Sequence, residues 1–441
     1  MSLYEPAIAT EVLRPGDEGY EDAARVFFAT GRPAVVVRPR GADEVAVALA
    51  HAARRGLPVA VRSGGHSALG HGINDGGMVI DLQRLDAVEV LDRDERLVRV
   101  GGGATWGRVA AELAPYGWGL TAGDTNDVGV GGLTLGGGMG WMVRRHGLAI
   151  DNLVGARVVL ADGRLVRASA TDNPDLFWAL RGGGGNFGVV VDLDFVAQPA
   201  PVVHFGTVTY RLDDAVQLVR GWRDAMRGAP DELSSTLALM PRIPDVPPTA
   251  TVLLCYAGGD IPAVEVDAVV EPLFELGTVV RAEIARRGYA EILEDAQQLP
   301  PGLRMAARNV LVPELGDEVV GAIAELHATM PPKAIALRSL GGAFGRVPPE
   351  DTAFAHRDAE AMVLCGAVLP EAATETDVER AFEPWQAVAA HGTGTYLNFQ
   401  GSATSADLAA AYPPATYARL VEVKRRFDPA NVFALNHNIA P

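Results

Sequence analysis

Val61-Arg62-Ser63-Gly64-Gly65-His66-Ser67 is the stretch on which the fold turns. The apolar run from Leu57 predicts a short strand ending at Arg62, and two glycines and a histidine follow it. Glycine permits a backbone with φ > 0 and lets other atoms approach closely. Serial N–H groups in such a loop form a concavity that binds anions. Arg62 adds a planar fork of donors suited to phosphate. His66 stands at the mouth of the loop, where imidazole chemistry allows a base, a metal ligand or a nucleophile toward a cofactor.

On the N-terminal side, Tyr20 to Phe28 reads as a short helical lead-in, and Ala34 to Val37, bounded by Pro33 and Pro39, as a buried strand. Between Gly41 and Gly56 apolar residues recur at helical spacing, with Asp43 near the start and Arg54-Arg55-Gly56 at the end. Residues 34–62 are therefore a predicted β-α-β unit with the histidine loop at its exit. On the C-terminal side, Met78–Leu82, Ala87–Leu91 and Leu97–Val100 predict short strands. Gly101-Gly102-Gly103 closes the third. A nicotinamide-type G-x-G-x-x-G beginning there would need glycine at position 106, which is Trp106, so a Rossmann domain is disfavoured.

Of the 50 glycines, 14 lie between Gly101 and Gly140, interleaved with apolar residues, which marks backbone wrapped round a ligand instead of a linker. Val154–Leu160 and Leu165–Ala168 predict a hairpin turning at Ala161-Asp162-Gly163. A helix over Asp175–Leu180 ends in Arg181-Gly182-Gly183-Gly184-Gly185-Asn186-Phe187-Gly188, and a strand follows from Val189 to Val196. After Gln198-Pro199-Ala200-Pro201 the phosphate-loop signals stop. Residues 202–400 alternate strand-like and helical runs, which predicts an antiparallel sheet with helices on one face, suited to a substrate pocket.

With 441 residues, two domains are expected. The net charge of −17 argues against nucleic acid and anionic membranes as partners, since both need a positive footprint. Two cysteines, Cys255 and Cys365, make neither a disulfide framework nor a zinc site, and the nine histidines show no ligand spacing, so no metal is expected. The N-terminal residues lack a basic and apolar leader pattern, and no run is long enough to span a bilayer, so a cytoplasmic location is the expectation. Nothing in the sequence bears on oligomeric state.

Several motifs together resemble the FAD-linked oxidases of the vanillyl-alcohol-oxidase superfamily, in particular the berberine-bridge-enzyme-like and hydroxynicotine-oxidase-like branch. These are VRSGGHSALGHGINDGGMVIDL (61–82), VGVGGLTLGGGMGW (128–141), DLFWALRGGGGNFGVV (175–190) and the tail from Tyr417 to Ile439. The resemblance implies an α+β fold: a two-subdomain FAD-binding domain of the PCMH type, residues 1–200 with 405–441, and an α/β substrate domain over 201–404 with a large antiparallel sheet. It implies a single covalent link from the 8α carbon of FAD to His66, because Thr125 stands where many relatives carry a second, cysteinyl attachment. Further cofactor contacts fall by resemblance on Arg62, Ser63, Gly64, Gly65 and Ser67, on Gly123, Val128, Gly129, Gly132, Gly136, Gly137 and Gly140, and on Gly188, Val190, Asn436 and Asn438.

The chemistry implied is hydride abstraction from a C–H next to O or N of a small organic substrate, with O2 reduced to H2O2 and a tailoring role in secondary metabolism. Val128 occupies the family's gatekeeper position for oxygen. Thr395-Tyr396-Leu397-Asn398-Phe399 alternates like a strand and resembles the family's strand over the flavin, placing Tyr396 and Asn398 on one side as catalytic candidates. A tyrosine acts as base near neutrality only beside a positive or hydrogen-bonding partner. His71 and His146 read as structural or surface residues, and His437 as a neighbour of the flavin ring. A flavin dehydrogenase using another acceptor, and a non-catalytic FAD-binding protein, are the rival readings.

Overall fold

The computed structural model describes residues 10–441 apart from 201, 244, 260 and 297–298. The start of the expected first domain at residue 1 and the boundary at 201 lie outside the described residues.

The chain first builds a four-stranded sheet from β1 (Glu11–Leu13), β2 (Val35–Arg38), β3 (Val59–Arg62) and β4 (Met78–Asp81), with α1 (Ala42–Arg55) between β2 and β3. The spatial order is β1-β2-β4-β3, with β2 and β3 each parallel to β4. The predicted β-α-β unit is present, but β4 inserts between its strands. Near-continuous Val, Ile and Ala in β2–β4 suits strands buried on both faces. The expected helix over 20–28 is only Tyr20–Ala23; Arg25–Val26 and Ala29–Thr30 then pair as a small hairpin.

A five-stranded antiparallel sheet follows, from β5 (Val88–Asp92), β6 (Leu97–Gly101), β7 (Leu153–Val159), β8 (Leu165–Ser169) and β9 (Val189–Val196), in the order β8-β7-β9-β6-β5. Helices α2 (Trp106–Leu113), α3 (Val130–Leu135) and α4 (Pro174–Leu180) lie in its connections. Trp106, Leu113, Leu176, Trp178 and Phe195 share one core with Tyr412, Leu420 and Phe427 of the tail.

The remaining large unit is a seven-stranded antiparallel sheet of β10 (Val203–Arg211), β11 (Leu233–Leu239), β12 (Thr249–Tyr256), β13 (Val279–Arg287), β14 (Leu303–Val312), β15 (Lys333–Ser339) and β16 (Ala361–Pro370). Its order is β13-β10-β12-β11-β15-β16-β14. One face packs on the helices Ala215–Gly228, Asp317–His327 and Glu375–Ala381 through Trp222, Ile323 and Val378. Phe205, Leu253 and Cys255 alternate to the other face and join the core of the five-stranded unit. Among the described residues, no helix is long and apolar enough to cross a membrane.

Candidate active site

Strand β3 delivers Arg62 to the histidine loop. Its guanidinium is buried and committed: Nη2 donates to Asp81 at 2.7 Å, and Nη1 to the carbonyls of Ala23 at 2.8 Å and Arg25 at 3.1 Å. The fork expected for phosphate therefore faces inward, because the nearby Asp81 and the carbonyls of Ala23, at the end of the short helix, and Arg25 satisfy it first. The effect is to clamp the 25–30 hairpin over the loop. The Phe27 N–H donates to the Gly65 carbonyl at 3.0 Å, and the Phe27 ring stacks on His66 with centroids 4.8 Å apart. His66 Nε2 lies 3.3 Å from Asp127 Oδ2. Burial pushes the imidazole pKa down, and Asp127 opposes that fall. Ser67 closes the local turn by accepting from Gly70 N at 3.0 Å.

The histidine loop is bolted to the glycine-rich arc. Ser63 Oγ donates to Gly102 O at 2.6 Å and accepts from Gly131 N at 3.2 Å. A methyl group at Gly64 or Gly129 would overlap the backbone of the other, so the two loops touch main chain to main chain. Val128 is partly buried against the core, while Gly132 is exposed with open space beside it. Gly123 faces Leu133, and Gly140 abuts the Ala122 carbonyl. Gly188 packs on Val158, and Val190 is a buried core residue whose carbonyl meets Gly102.

Gly136 rests against the Asn398 amide. Gly137 and Gly138 have φ of 136° and 84°, conformations that favour glycine, and they turn consecutive N–H groups onto one point. That point is the Tyr396 hydroxyl, which accepts from Gly138 N at 3.0 Å, Met139 N at 3.4 Å and Asn398 Nδ2 at 2.8 Å. Burial raises the phenol pKa, and these three donors and the Arg338 charge pull it only part of the way back. The expected strand at 395–399 is instead a 3-10 turn over Leu397–Phe399. The Asn309 side chain takes the place of a partner strand: Tyr396 N donates to its Oδ1 at 2.8 Å, and its Nδ2 donates to Tyr396 O at 2.9 Å. Tyr396 and Asn398 nonetheless meet as the alternation predicted.

Arg338, on β15, was not found by sequence reasoning. It pairs with Asp124 of the arc, donates to Met139 O at 3.3 Å and lies over the Trp141 ring at 5.6 Å. Its place is set by the sheet register, which puts Arg338 beside Thr236 and Met362, Thr236 beside Leu253, and Asn309 beside Leu364. These residues share one face of the large sheet. The buried hydroxyls of Ser234 and Thr236 on that face have no hydrogen-bond partner among the described residues.

The tail returns to the loop after α4. Asn186 Nδ2 donates to Gly183 O at 2.9 Å and His437 O at 3.2 Å, and Ile439 N donates to Asn186 Oδ1 at 3.0 Å. The Oδ1 atoms of Asn436 and Asn438 and the Nδ1 of His437 are buried without hydrogen-bond partners among the described residues. Buried polar atoms are normally satisfied, so this consecutive set fits a polar ligand edge. The residues present thus fit an FAD. His71 is partly buried: its ring stands edge-on to His437 with centroids 5.0 Å apart, and burial with His437 lowers its pKa to about 4. Burial likewise lowers His146 to about 4. Among the described residues, no three His, Cys, Asp or Glu side chains gather as a metal site.

Comparison with known proteins agrees with this geometry. Residues 33–169 match the model of the FAD binding domain family, and residues 395–440 match that of berberine and berberine-like proteins. The chain is 31% identical to (R)-6-hydroxynicotine oxidase of Paenarthrobacter nicotinovorans, covering 99% of this chain and 97% of that one. Glucooligosaccharide oxidase of Sarocladium strictum is 38% identical over 47% of this chain and 42% of its own. The crystal structure of 6-hydroxy-D-nicotine oxidase from Arthrobacter nicotinovorans superposes with a TM-score of 0.88 at 30% identity, covering 99% of both chains. A glucooligosaccharide oxidase from Acremonium strictum, described with a 6-S-cysteinyl, 8α-N1-histidyl FAD, superposes with a TM-score of 0.85 at 27% identity, covering 98% of this chain and 97% of that one. Touching glycine loops, a tail of orphaned polar atoms and full-length similarity thus lead to one assignment: the chain belongs to the berberine-bridge-enzyme-like FAD-linked oxidases of the VAO/PCMH flavoprotein family.

Proposed function

We propose that this protein holds FAD by a single covalent bond through His66, abstracts hydride from a C–H beside a hydroxyl or amine, and passes the electrons to O2 to form H2O2. The observation that carries the reading is the buried Tyr396 hydroxyl, surrounded by Gly138 N, Met139 N and Asn398 Nδ2 with Arg338 behind it. These donors favour the phenolate, the form that accepts a proton, and work against burial, whose larger effect leaves the phenol pKa above its ordinary value. Bound FAD supplies the hydride acceptor. The protein's own work is to hold the substrate hydrogen toward it, take the hydroxyl or ammonium proton at Tyr396 Oη, and keep water out with Phe354 and Phe399 packed round the ring. Asn398 and Arg338 position that oxygen.

Thr125 stands at the position of the second attachment in bicovalent relatives, and neither cysteine replaces it. Cys255 is fully buried with its thiol pKa pushed up by burial, and Cys365 is likewise pushed up to about 12. The strands β11, β12, β15, β16 and β14 carry Arg338 and no carboxylate on the face around Thr236, and the Asp124 carboxylate that reaches it from the arc is already paired with Arg338. That favours a hydroxyl-bearing substrate over a cationic amine. The tail packing supports a discontinuous FAD domain of residues 1–200 with 405–441, and a substrate domain over 201–404.

An oxygen-electrode screen of small alcohols, sugars and secondary amines tests the reading. Oxygen uptake with stoichiometric H2O2 is expected from at least one hydroxyl compound; flavin that a substrate reduces but O2 does not reoxidise would give the dehydrogenase reading instead. Val128 is proposed as the oxygen gatekeeper. Val128→Leu is expected to slow reoxidation by O2 at least about tenfold, one step of ~1.4 kcal/mol, and an unchanged stopped-flow reoxidation rate contradicts that role.

A further inference from the structure

Asp127 joins three parts of the molecule. Its backbone belongs to the glycine-rich arc, its Oδ1 accepts the Ala296 N–H at 3.3 Å, and its Oδ2 faces His66 Nε2 at 3.3 Å. A neutral imidazole has one N–H, and the group facing one nitrogen decides where that proton sits. A carboxylate at Nε2 selects the Nε2–H form and leaves the lone pair on Nδ1. The Nδ1 atom has no hydrogen-bond partner among the described residues. Phe27 holds the ring by stacking on one face. The charge of Arg62 is matched by Asp81, so Asp127 is the charged group that acts on the imidazole.

We infer that Asp127 is the positioning residue for flavin attachment: it fixes His66 as the Nε2–H tautomer, directs Nδ1 to the 8α carbon, and balances the positive charge that develops on the imidazole as the bond forms. The inference rests on the covalent reading of His66 given above. The bond made is Nδ1–C8α, and the bond broken is one C–H of the 8α methyl group. One proton leaves that carbon and one leaves Nε2 by way of Asp127. The two electrons pass through the isoalloxazine to dioxygen, and with the two protons they account for one H2O2.

The rate of attachment tests this without reference to turnover. Full-length wild-type, H66A and D127N chains, produced in riboflavin-limited cells, are mixed with FAD in air, and the flavin retained after acid precipitation is followed in time from weakly acid to weakly alkaline pH. Asn at position 127 keeps an oxygen for Ala296 N but carries no charge, and the Asp127 side chain is 45% exposed, so the variant should fold. D127N is expected to bind FAD by its visible spectrum yet attach it at least about tenfold more slowly, as when a reacting imidazole loses the partner that orients it. Burial lowers the His66 pKa and Asp127 opposes that fall, so the midpoint of the attachment profile should also move to lower pH in D127N. A purely structural role would not move that midpoint. D127N attaching at the wild-type rate, with an unshifted midpoint, overturns the inference while the covalent reading stands. Wild type that retains no flavin overturns both.

Discussion

Tyr396→Phe is expected to slow flavin reduction by about 10²- to 10⁴-fold, the range for loss of a positioned general base, while the protein keeps its flavin. The side chain is 2% exposed and its ring packs against Phe354 and Phe399, so phenylalanine fills the same space. What is lost is one oxygen that three N–H groups address. Burial raises the Tyr396 pKa and the donors with Arg338 take back only part of that rise, so the phenolate fraction grows as pH climbs toward the raised pKa. The wild-type reduction rate should therefore climb with pH and the variant's should stay flat. Anaerobic stopped-flow reduction by a substrate found in the oxygen screen measures both; a variant with the wild-type rate and slope would remove Tyr396 from the chemistry.

The largest effect on stability is expected from Asp428→Ala. Lys424 and Asp428, near the end of the helix Pro414–Phe427, are both fully buried and paired at 2.7 Å. Lys424 Nζ also donates to Asn186 O at 2.8 Å and Phe433 O at 3.1 Å, and Asp428 accepts from Val432 N at 2.9 Å and Phe433 N at 3.0 Å. Removing the carboxylate strands a buried ammonium, at a cost of about 3–5 kcal/mol. The melting temperature should fall by roughly 6 °C or more. Because this knot holds Phe433 just before Asn436, His437 and Asn438, the variant should also lose non-covalently held flavin in a gel-filtration assay of a His66→Ala background. Melting within a degree of the parent would show that the pair is not the anchor of the tail.

How much of this was legible in the sequence depends on how far each partner lies along the chain. The arc from Val128 to Trp141 was readable because a glycine is needed wherever backbone meets backbone, as at Gly129, or where φ turns positive, as at Gly137 and Gly138. Strands β2 to β4 were readable from their apolar runs. Arg62 was not, because a free fork and one spent on Asp81 look alike until a fold sets the two side by side. The same holds for residues 395–399: alternation suggested a strand, but the partner is the amide of Asn309, 87 residues away, which local pattern does not reveal. Arg338 reaches Asp124 only through the register of the seven-stranded sheet. The helix-like pattern of 20–28 gives no sign of Phe27's role, since it is the 25–30 hairpin that brings its ring onto His66.

The most direct test of the central claim is acid precipitation of the purified protein followed by a flavin spectrum of the pellet and supernatant. Wild type is expected to keep its yellow flavin in the pellet, and His66→Ala to release it to the supernatant. Flavin released by the wild-type protein, or retained by His66→Ala, would contradict it.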